Sequence, residues 1–527
     1  MQQKRVFLSL SVVLCTVSLS AQDKFPSPTK IVTTAQGLVQ GISSGVVDQF
    51  LGIPYAAPPV GELRWKAPVE AGSWSGVRDA VRQGSECMQP GGSGREDCLY
   101  LNIYRPADAS PDDLLPVIIF IHGGSNQQGT GNSYHPAQWV ANTKVIVVTI
   151  NYRLNVFGFL ALPSLDAESG EPSSGNFGLM DQQAAMRWVN ANIRGFGGDP
   201  DNITIGGESA GGIDVCANLI SPTAAGLFHN AFMESMYCPA TPHDAAIESS
   251  TPVAAALGCT DEPTAAACMR DMPAKDVLSA AGHLSMVGEP GFFAGPNFGN
   301  SVLPVQAPDA IASGQWNRSS ILIGSNHDDA SIFVSASLSA RHVAFPISIE
   351  EYQTLAGAQY GSFAPAVLQE YPLTGYSDPF LALADEITDY SSLGCAVTPL
   401  TQMFAAVTPT FRYEFNDEAA PHDVGDPTDR TLGAYHGAEL LYLFTTSQPV
   451  TPKTAAQQKL AHQMMQYWAN FARSGDPNGD GLVLWPRYDA AHQLLSLKPD
   501  GNMAIDNFDV EHHCAFWAAA PGPPFPR

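Results

Sequence analysis

The stretch Asn202-Ile203-Thr204-Ile205-Gly206-Gly207-Glu208-Ser209-Ala210-Gly211-Gly212, running on to Ile220, decides how the 527-residue chain is read. Asn202 to Gly206 is a short, β-branched run that predicts a strand, and Ala210 to Ile220 predicts a helix. Between them, Gly207-Glu208-Ser209-Ala210-Gly211 fits G-x-S-x-G, a strained turn that lifts a serine above the end of a strand. Glycines are needed there because neighbouring backbone presses on the turn, while the helix that follows aims free N–H groups outward. In a chain with 47 glycines a bare match means little. Indeed Gly41-Ile42-Ser43-Ser44-Gly45 fits the same pattern. Context separates the two. The second match leads into Val46-Val47-Asp48-Gln49-Phe50, another strand, so Ser43 is read as a turn serine and Ser209 as a nucleophile.

On either side of that stretch, Val117 to Ile121 and Val145 to Ile150 are continuous apolar runs, as expected of strands covered on both faces. Leu179 to Ile193 has helical spacing and is stopped by Gly195, Gly197 and Gly198; Ile321 to Gly324 is a later strand. This alternation predicts an α/β fold with helices on both faces of the sheet and a site beyond the carboxyl ends of its strands. No repeat, low-complexity tract or long linker marks a second domain, so residues 21–527 are read as one domain.

Hydrophobic residues make up 45% of the chain and charged residues 15%, which suits a large packed core. The 26 Lys+Arg against 51 Asp+Glu leave a formal charge of −25. That balance excludes nucleic acid and anionic membrane as partners. Residues 1–20 read as a signal peptide: Lys4 and Arg5 precede an apolar run from Val6 to Leu19, with small residues around Ser20 and Ala21. The expectation is a secreted or periplasmic protein. No later segment reaches the roughly 18 apolar residues of a membrane span. Of nine cysteines, Cys15 lies in the leader. The others are Cys87, Cys98, Cys216, Cys238, Cys259, Cys268, Cys395 and Cys514, an even set that predicts disulfides without revealing their pairing. No C-x-x-C pair supports a zinc knuckle or redox dithiol. Asn202-Ile203-Thr204 and Asn317-Arg318-Ser319 are glycan acceptors in a eukaryotic host.

A serine hydroxyl needs a base, an acid to orient the base, and donors for the oxyanion. His122-Gly123-Gly124-Ser125 follows the strand ending at Ile121, where glycines allow backbone N–H groups to approach a developing charge, with Ala210 N–H completing the set. The chain order for such a turn is serine, acid, histidine. Seven histidines follow Asp329: His342, His422, His436, His462, His492, His512 and His513. Spacing alone does not choose among them, although His436 sits beside a glycine in Gly433-Ala434-Tyr435-His436-Gly437-Ala438-Glu439.

Several further stretches, in order, resemble the type-B carboxylesterase/cholinesterase family of α/β-hydrolases from about Pro28 to Trp517. They are Phe50-Leu51-Gly52-Ile53-Pro54-Tyr55-Ala56-Ala57-Pro58-Pro59, Glu96-Asp97-Cys98-Leu99-Tyr100-Leu101-Asn102-Ile103-Tyr104, Gly175-Asn176-Phe177-Gly178-Leu179-Met180-Asp181-Gln182-Gln183 and Phe196-Gly197-Gly198-Asp199-Pro200. Near the end, Trp468-Ala469-Asn470-Phe471-Ala472 and Ser474-Gly475-Asp476-Pro477-Asn478 match as well. The resemblance implies an α/β-hydrolase fold, with a large, mostly parallel mixed sheet flanked by helices and a small N-terminal sheet. It implies Ser209 as nucleophile, His436 as base and Asp329 as acid. Gly124, Ser125 and Ala210 would form the oxyanion hole, with Gly123 and Glu208 in support. Two departures stand out. The family more often has Glu-Gly where this chain has Asp329-Ala330, which leaves Asp328 as a rival acid, and Ser125 stands where a third glycine or alanine is usual. The resemblance also implies Cys87–Cys98, Cys259–Cys268 and Cys395–Cys514 bridges. Cys216 and Cys238 stay open between a fourth bridge and two buried thiols.

The implied activity is hydrolysis of carboxylic esters of modest size through an acyl-enzyme, with no cofactor and no metal required. Only Met88 to Asp97 separates Cys87 from Cys98, and none of these residues is aromatic. Such a short loop argues against a large lipase lid and against the choline-binding tryptophan of a cholinesterase. A lipase for longer acyl chains and a non-catalytic adhesion module are the alternatives. Asp476 to Gly481 imitates a calcium loop, but its twelfth position is Arg487. His512-His513-Cys514 hints at a metal cluster with no fourth ligand nearby in sequence and Cys514 claimed by a bridge.

Overall fold

The computed structural model describes residues 26–520 except 283–291, 293, 392, 423–431 and 447–448, so the expected leader and Cys15 lie outside the described residues. A twelve-stranded sheet runs through the molecule in the spatial order Ser27–Pro28, Ile42–Ser43, Val47–Pro54, Tyr100–Pro106, Ile146–Ile150, Leu115–Ile121, Gly198–Glu208, Asn230–Glu234, Ser320–Asn326, Thr410–Phe415, Leu494–Leu497 and Met503–Ile505. From Ile146–Ile150 to Leu494–Leu497 every neighbouring pair is parallel, while both flanks are antiparallel. A separate small sheet is formed by Val32–Thr34, Gly37–Gln40 and Val77–Asp79. The central strands are buried on both faces, which is why their sequences read as unbroken apolar runs. Ser43 ends one of the short flanking strands, a small correction to its reading as a turn residue, and its hydroxyl accepts the Gly45 N–H of the adjoining turn at 3.1 Å.

The helices cover both faces. Phe177–Asn192 and Ala210–Ile220 pack on one side with Ile119, Ile121 and Ile205, in a core distinct from that beneath the helix Ala455–Ser474. The latter helix starts at a reciprocal cap: Thr454 accepts the Gln457 N–H, and the Gln457 side chain accepts the Thr454 N–H. It stops at Gly475, whose φ of 72° suits a residue without Cβ. Trp468, fully buried on that helix, donates its indole N–H to Glu234 at 2.9 Å and so ties the helix to the central sheet.

Four disulfides join Cys87–Cys98, Cys216–Cys238, Cys259–Cys268 and Cys395–Cys514. Cys216 and Cys238, left open by the sequence, therefore lie together, with Cα atoms 5.7 Å apart. Cys395–Cys514 spans 119 residues and pins the last helix to the body. Chain-entropy arguments value such a long closure at up to about 5 kcal/mol. Cys514→Ser is accordingly expected to lower the denaturant midpoint clearly in oxidised protein, while Cys259→Ser, opening a separation of only 9 residues, should lower it less. Equal midpoints for Cys514→Ser and wild type would show that the long bridge does not constrain the chain. Among the described residues no helix is long and apolar enough to cross a membrane.

The Asp476 turn is held by its own side chains. Asp476 accepts the Asn478 N–H at 2.9 Å, and Asn478 accepts the Trp485 N–H at 2.7 Å, which accounts for the polar run there.

Candidate active site

Ser209 follows the strand Gly198–Glu208 and precedes the helix Ala210–Ile220, with φ 57° and ψ −127°. A side chain in that conformation is strained and needs surroundings that over-determine it. Those surroundings explain the glycines. A Cβ on Gly211 would fall 2.1 Å from the Ile121 carbonyl oxygen, and one on Gly207 would fall 2.5 Å from the Gly211 backbone. The Ser209 N–H is held by the Glu234 carbonyl at 2.9 Å on the neighbouring strand.

The loop after Leu115–Ile121 closes on this turn. A Cβ on Gly123 would lie 3.0 Å from Ser209 Cβ and 2.8 Å from the Glu208 carbonyl oxygen, so only a glycine lets the two segments meet so closely. Gly124, Ser125 and Asn126 follow with φ of 103°, 57° and 56°. Ser125 is exposed and takes the left-handed conformation that a third glycine would adopt more easily, which locates the physical cost of that departure from the family pattern. Among the described residues, no protein group accepts a hydrogen bond from the N–H groups of Gly124, Ser125 or Ala210.

Buried polar groups fix the loop from below. Asn126 donates to Asp214 at 3.1 Å, Gln182 donates to the same carboxylate at 2.6 Å, and the Tyr152 hydroxyl donates to the His122 carbonyl at 2.8 Å. Burial pushes Asp214 up to about 7. His122 is also buried, which lowers it to about 4 and keeps its ring neutral against the Gly123 carbonyl.

His436 Nδ1 lies 2.5 Å from Asp329 Oδ1, and the His436 N–H donates to the Asp329 carbonyl at 3.1 Å. Asp329 is fully buried, and its other oxygen accepts the Asn326 N–H at 2.9 Å. The rival carboxylate is engaged elsewhere. Asp328 accepts the Ala434 N–H at 2.7 Å, and a Cβ on Gly433 would fall 2.1 Å from its Oδ2. Asp328 thus clips the two loops together, while Asp329 faces the imidazole. The backbone contact between His436 and Asp329 holds the two loops close enough for the shorter aspartate side chain to reach the imidazole.

The far imidazole nitrogen, Nε2, lies 3.1 Å from Glu208 Oε1 but has no hydrogen bond of acceptable angle among the described residues. Burial disfavours the imidazolium, yet the carboxylates of Glu208 and Asp329 outweigh this and raise His436 to about 9. Burial, reinforced by Asp329 and opposed by His436, pushes Glu208 up to about 7. Phe333 packs at 4.8 Å between ring centroids and borders the imidazole from a partly exposed position.

Two carboxylates that interact with Glu208 carried no role in the sequence reading. Glu234 and Glu439 are both fully buried, and burial together with the neighbouring acids raises Glu234 well above the ordinary range and Glu439 to about 8. Asn326 donates to Glu439 and, at 2.7 Å, to the Tyr435 carbonyl, so one amide organises both the acid loop and the histidine loop. The available signal was an acid closing an apolar strand at Glu234, and the Glu of the His-Gly-x-Glu run at Glu439.

A mostly parallel sheet carrying a strained serine on a strand–turn–helix at the carboxyl ends of its strands defines an α/β-hydrolase. Solved structures agree: a PNB esterase matches with a TM-score of 0.74 at 31% identity over 92% of this chain and 98% of that one. The model of the Carboxylesterase family matches residues 28–517, and the chain belongs to that family. It is 32% identical to human cocaine esterase over 99% of this chain and 97% of the relative. It is 33% identical to para-nitrobenzyl esterase of Bacillus subtilis (strain 168) over 91% of this chain and 96% of the relative. The protein is a serine carboxylic-ester hydrolase.

Proposed function

We propose that Ser209 attacks the carbonyl carbon of a carboxylic ester of modest size while His436 Nε2 takes its proton. Asp329 holds the Nδ1–H tautomer and balances the imidazolium, and the N–H groups of Gly124, Ser125 and Ala210 receive the oxyanion. The tetrahedral intermediate expels the alcohol, which His436 protonates. Water then attacks the acyl-Ser209 ester with His436 as base, releasing the acid and restoring the serine. The observation that carries this reading is the short His436–Asp329 contact, with Nε2 3.1 Å from the side chain of the residue preceding a strained Ser209, and the N–H groups of Gly124, Ser125 and Ala210, which have no protein acceptor among the described residues. Residues 21–527 form one catalytic domain, exported behind the leader of residues 1–20; the four disulfides favour an oxidising compartment.

The short Cys87–Cys98 loop, with a separation of only 11 residues, leaves little material for a lid and supports an ester of modest size over a lipase substrate. In a series of p-nitrophenyl esters, kcat/KM is expected to be highest for acetate and butyrate, with simple saturation in solution. A jump in rate above the solubility limit of a long-chain ester would instead establish a lipase. A folded wild type inactive on the whole series would count against simple esters of modest size as its substrates.

The pH profile has a defined sign. His436 works only when neutral, so kcat/KM should rise with pH through its titration, and the carboxylates place that limb above the ordinary histidine value near 6.5. Glu208→Gln removes a charge 3.1 Å from Nε2 and should move the limb about 1–3 pH units lower. A flat profile between pH 5 and 9, or a limb unmoved in the variant, would count against His436 as the base.

A further inference from the structure

We propose that His327, Glu414 and His512 form a binding site for a borderline divalent metal ion such as zinc, which fastens the carboxyl-terminal segment to the loop that carries Asp329. One candidate ligand atom from each of the three lies within 4.8 Å of the other two. They come from three separate segments. His327 follows the strand Ser320–Asn326, Glu414 lies on the strand Thr410–Phe415, and His512 sits between the helices Phe508–Glu511 and Cys514–Ala518. Glu414 and His512 are buried, while the His327 side chain keeps 29% of its surface open and provides a route of entry.

The surroundings are those of a metal site rather than of a chance meeting. A metal-ligating imidazole usually directs its second nitrogen at a carboxylate, which fixes the ring and leaves the first nitrogen as a lone-pair donor. Both histidines meet that condition. His512 Nδ1 lies 2.5 Å from Asp389 Oδ1; Asp389 Oδ2 accepts the Tyr371 hydroxyl at 2.6 Å, and that hydroxyl accepts the Trp517 indole N–H at 2.7 Å. His327 Nδ1 faces Asp328 Oδ1 at 3.4 Å, and Asp328 is itself held by the Ala434 N–H at 2.7 Å.

His512 Nε2 and Glu414 Oε1 are 2.8 Å apart, a hydrogen-bond distance; two ligands at about 2.0–2.1 Å on a tetrahedral ion span roughly 3.3 Å, so a bound ion would replace the shared proton and part the two atoms by about half an ångström. Glu414 Oε2 is buried with no hydrogen-bond partner among the described residues. A carboxylate oxygen so placed is costly to leave unmatched, and a cation satisfies it. Two imidazoles and one carboxylate are a donor set that zinc and its neighbours accept, completed by Glu414 Oε2 or a water molecule. The site is distinct from the Ser209 machinery. Its role is to hold the chain where Cys395–Cys514 also holds it, and none of its ligands belongs to the proposed triad.

The test uses the mature full-length chain, dialysed against a chelator and then titrated with zinc sulfate or cobalt chloride. Wild type is expected to retain about one zinc per chain through gel filtration by elemental analysis, to melt at higher temperature with zinc present, and to give visible cobalt absorption bands from a low-symmetry site. His327→Gln, at the open edge, should lose the stoichiometric metal, the stabilisation and the bands. Asp389→Asn should weaken zinc binding by about 10–100-fold. If His512→Gln fails to fold, the His327→Gln comparison still decides. No retained metal in wild type, or equal affinity in wild type and His327→Gln, would overturn the proposal and leave the cluster as an ion network held by protons.

Discussion

Ser209→Ala is expected to cut kcat/KM for p-nitrophenyl butyrate by on the order of 10⁴–10⁶-fold, with circular dichroism and melting temperature close to wild type. On the proposed mechanism the effect is large because the acyl-enzyme forms on Ser209, and it does not vanish entirely because the proposed oxyanion hole would still polarise the ester for attack by water. The fold should tolerate the change. Alanine suffers the same strain at φ 57°, and the Ser209 N–H bond to the Glu234 carbonyl does not involve the hydroxyl. Rates equal to wild type would remove Ser209 from the mechanism. A fluorophosphonate probe separates that outcome from misfolding: it should add one mass increment to the wild-type peptide containing Ser209 and none to the variant.

The second large effect concerns the acid. Asp329→Asn should lower kcat by about 10⁴-fold, because an amide facing Nδ1 no longer selects the tautomer that leaves Nε2 as base, nor balances the imidazolium. Asp328→Asn should stay within roughly an order of magnitude of wild type, since an amide oxygen can still accept the Ala434 N–H. The neighbouring carboxylates thus make opposite predictions from almost the same chemistry. If Asp328→Asn proved the crippling change and Asp329→Asn the mild one, the assignment would be reversed. His436→Ala would complete the series, and its loss should not add to that of Ser209→Ala, because the two act as one unit.

Glu208, Glu234 and Glu439 give these experiments a further reading. All three are buried and raised chiefly by desolvation, with Asp329 adding to the shift of Glu208, Glu439 and Glu208 to that of Glu234, and Glu208 and Asp329 to that of Glu439. The negative charge of Asp329 and of ionised Glu208 favours the imidazolium that would form as Ser209 attacks, yet it also holds the free enzyme's histidine protonated to higher pH. Lower activity on the acid side accompanies stronger stabilisation of the cation during reaction. That trade-off explains why Glu208→Gln is expected to shift the pH profile and not simply to lower the rate.

The elements around the elbow were legible because their signals are local. The strand–glycine–serine–glycine–helix run announced itself in consecutive residues, and the helix Ala210–Ile220 has the bounds read from the sequence. Buried parallel strands such as Leu115–Ile121 and Ile146–Ile150 appear as unbroken apolar runs because both faces are covered. Family resemblance extended that reading to the sheet as a whole and to His436, which spacing alone could not select from seven histidines.

Local sequence therefore carries the class of fold, the family and Ser209 as the candidate nucleophile, because strand and helix periods and the glycines of a tight turn are written in neighbouring residues. Only the packing of distant segments sets Asp329 and not Asp328 against His436, brings Cys216 to Cys238, and gathers Glu234 and Glu439 with Glu208 in one buried cluster. It also gathers His327, Glu414 and His512 from segments far apart in the chain. Each of these contacts depends on where loops at the ends of different strands converge, and that convergence is set by packing between distant segments, which no local pattern encodes.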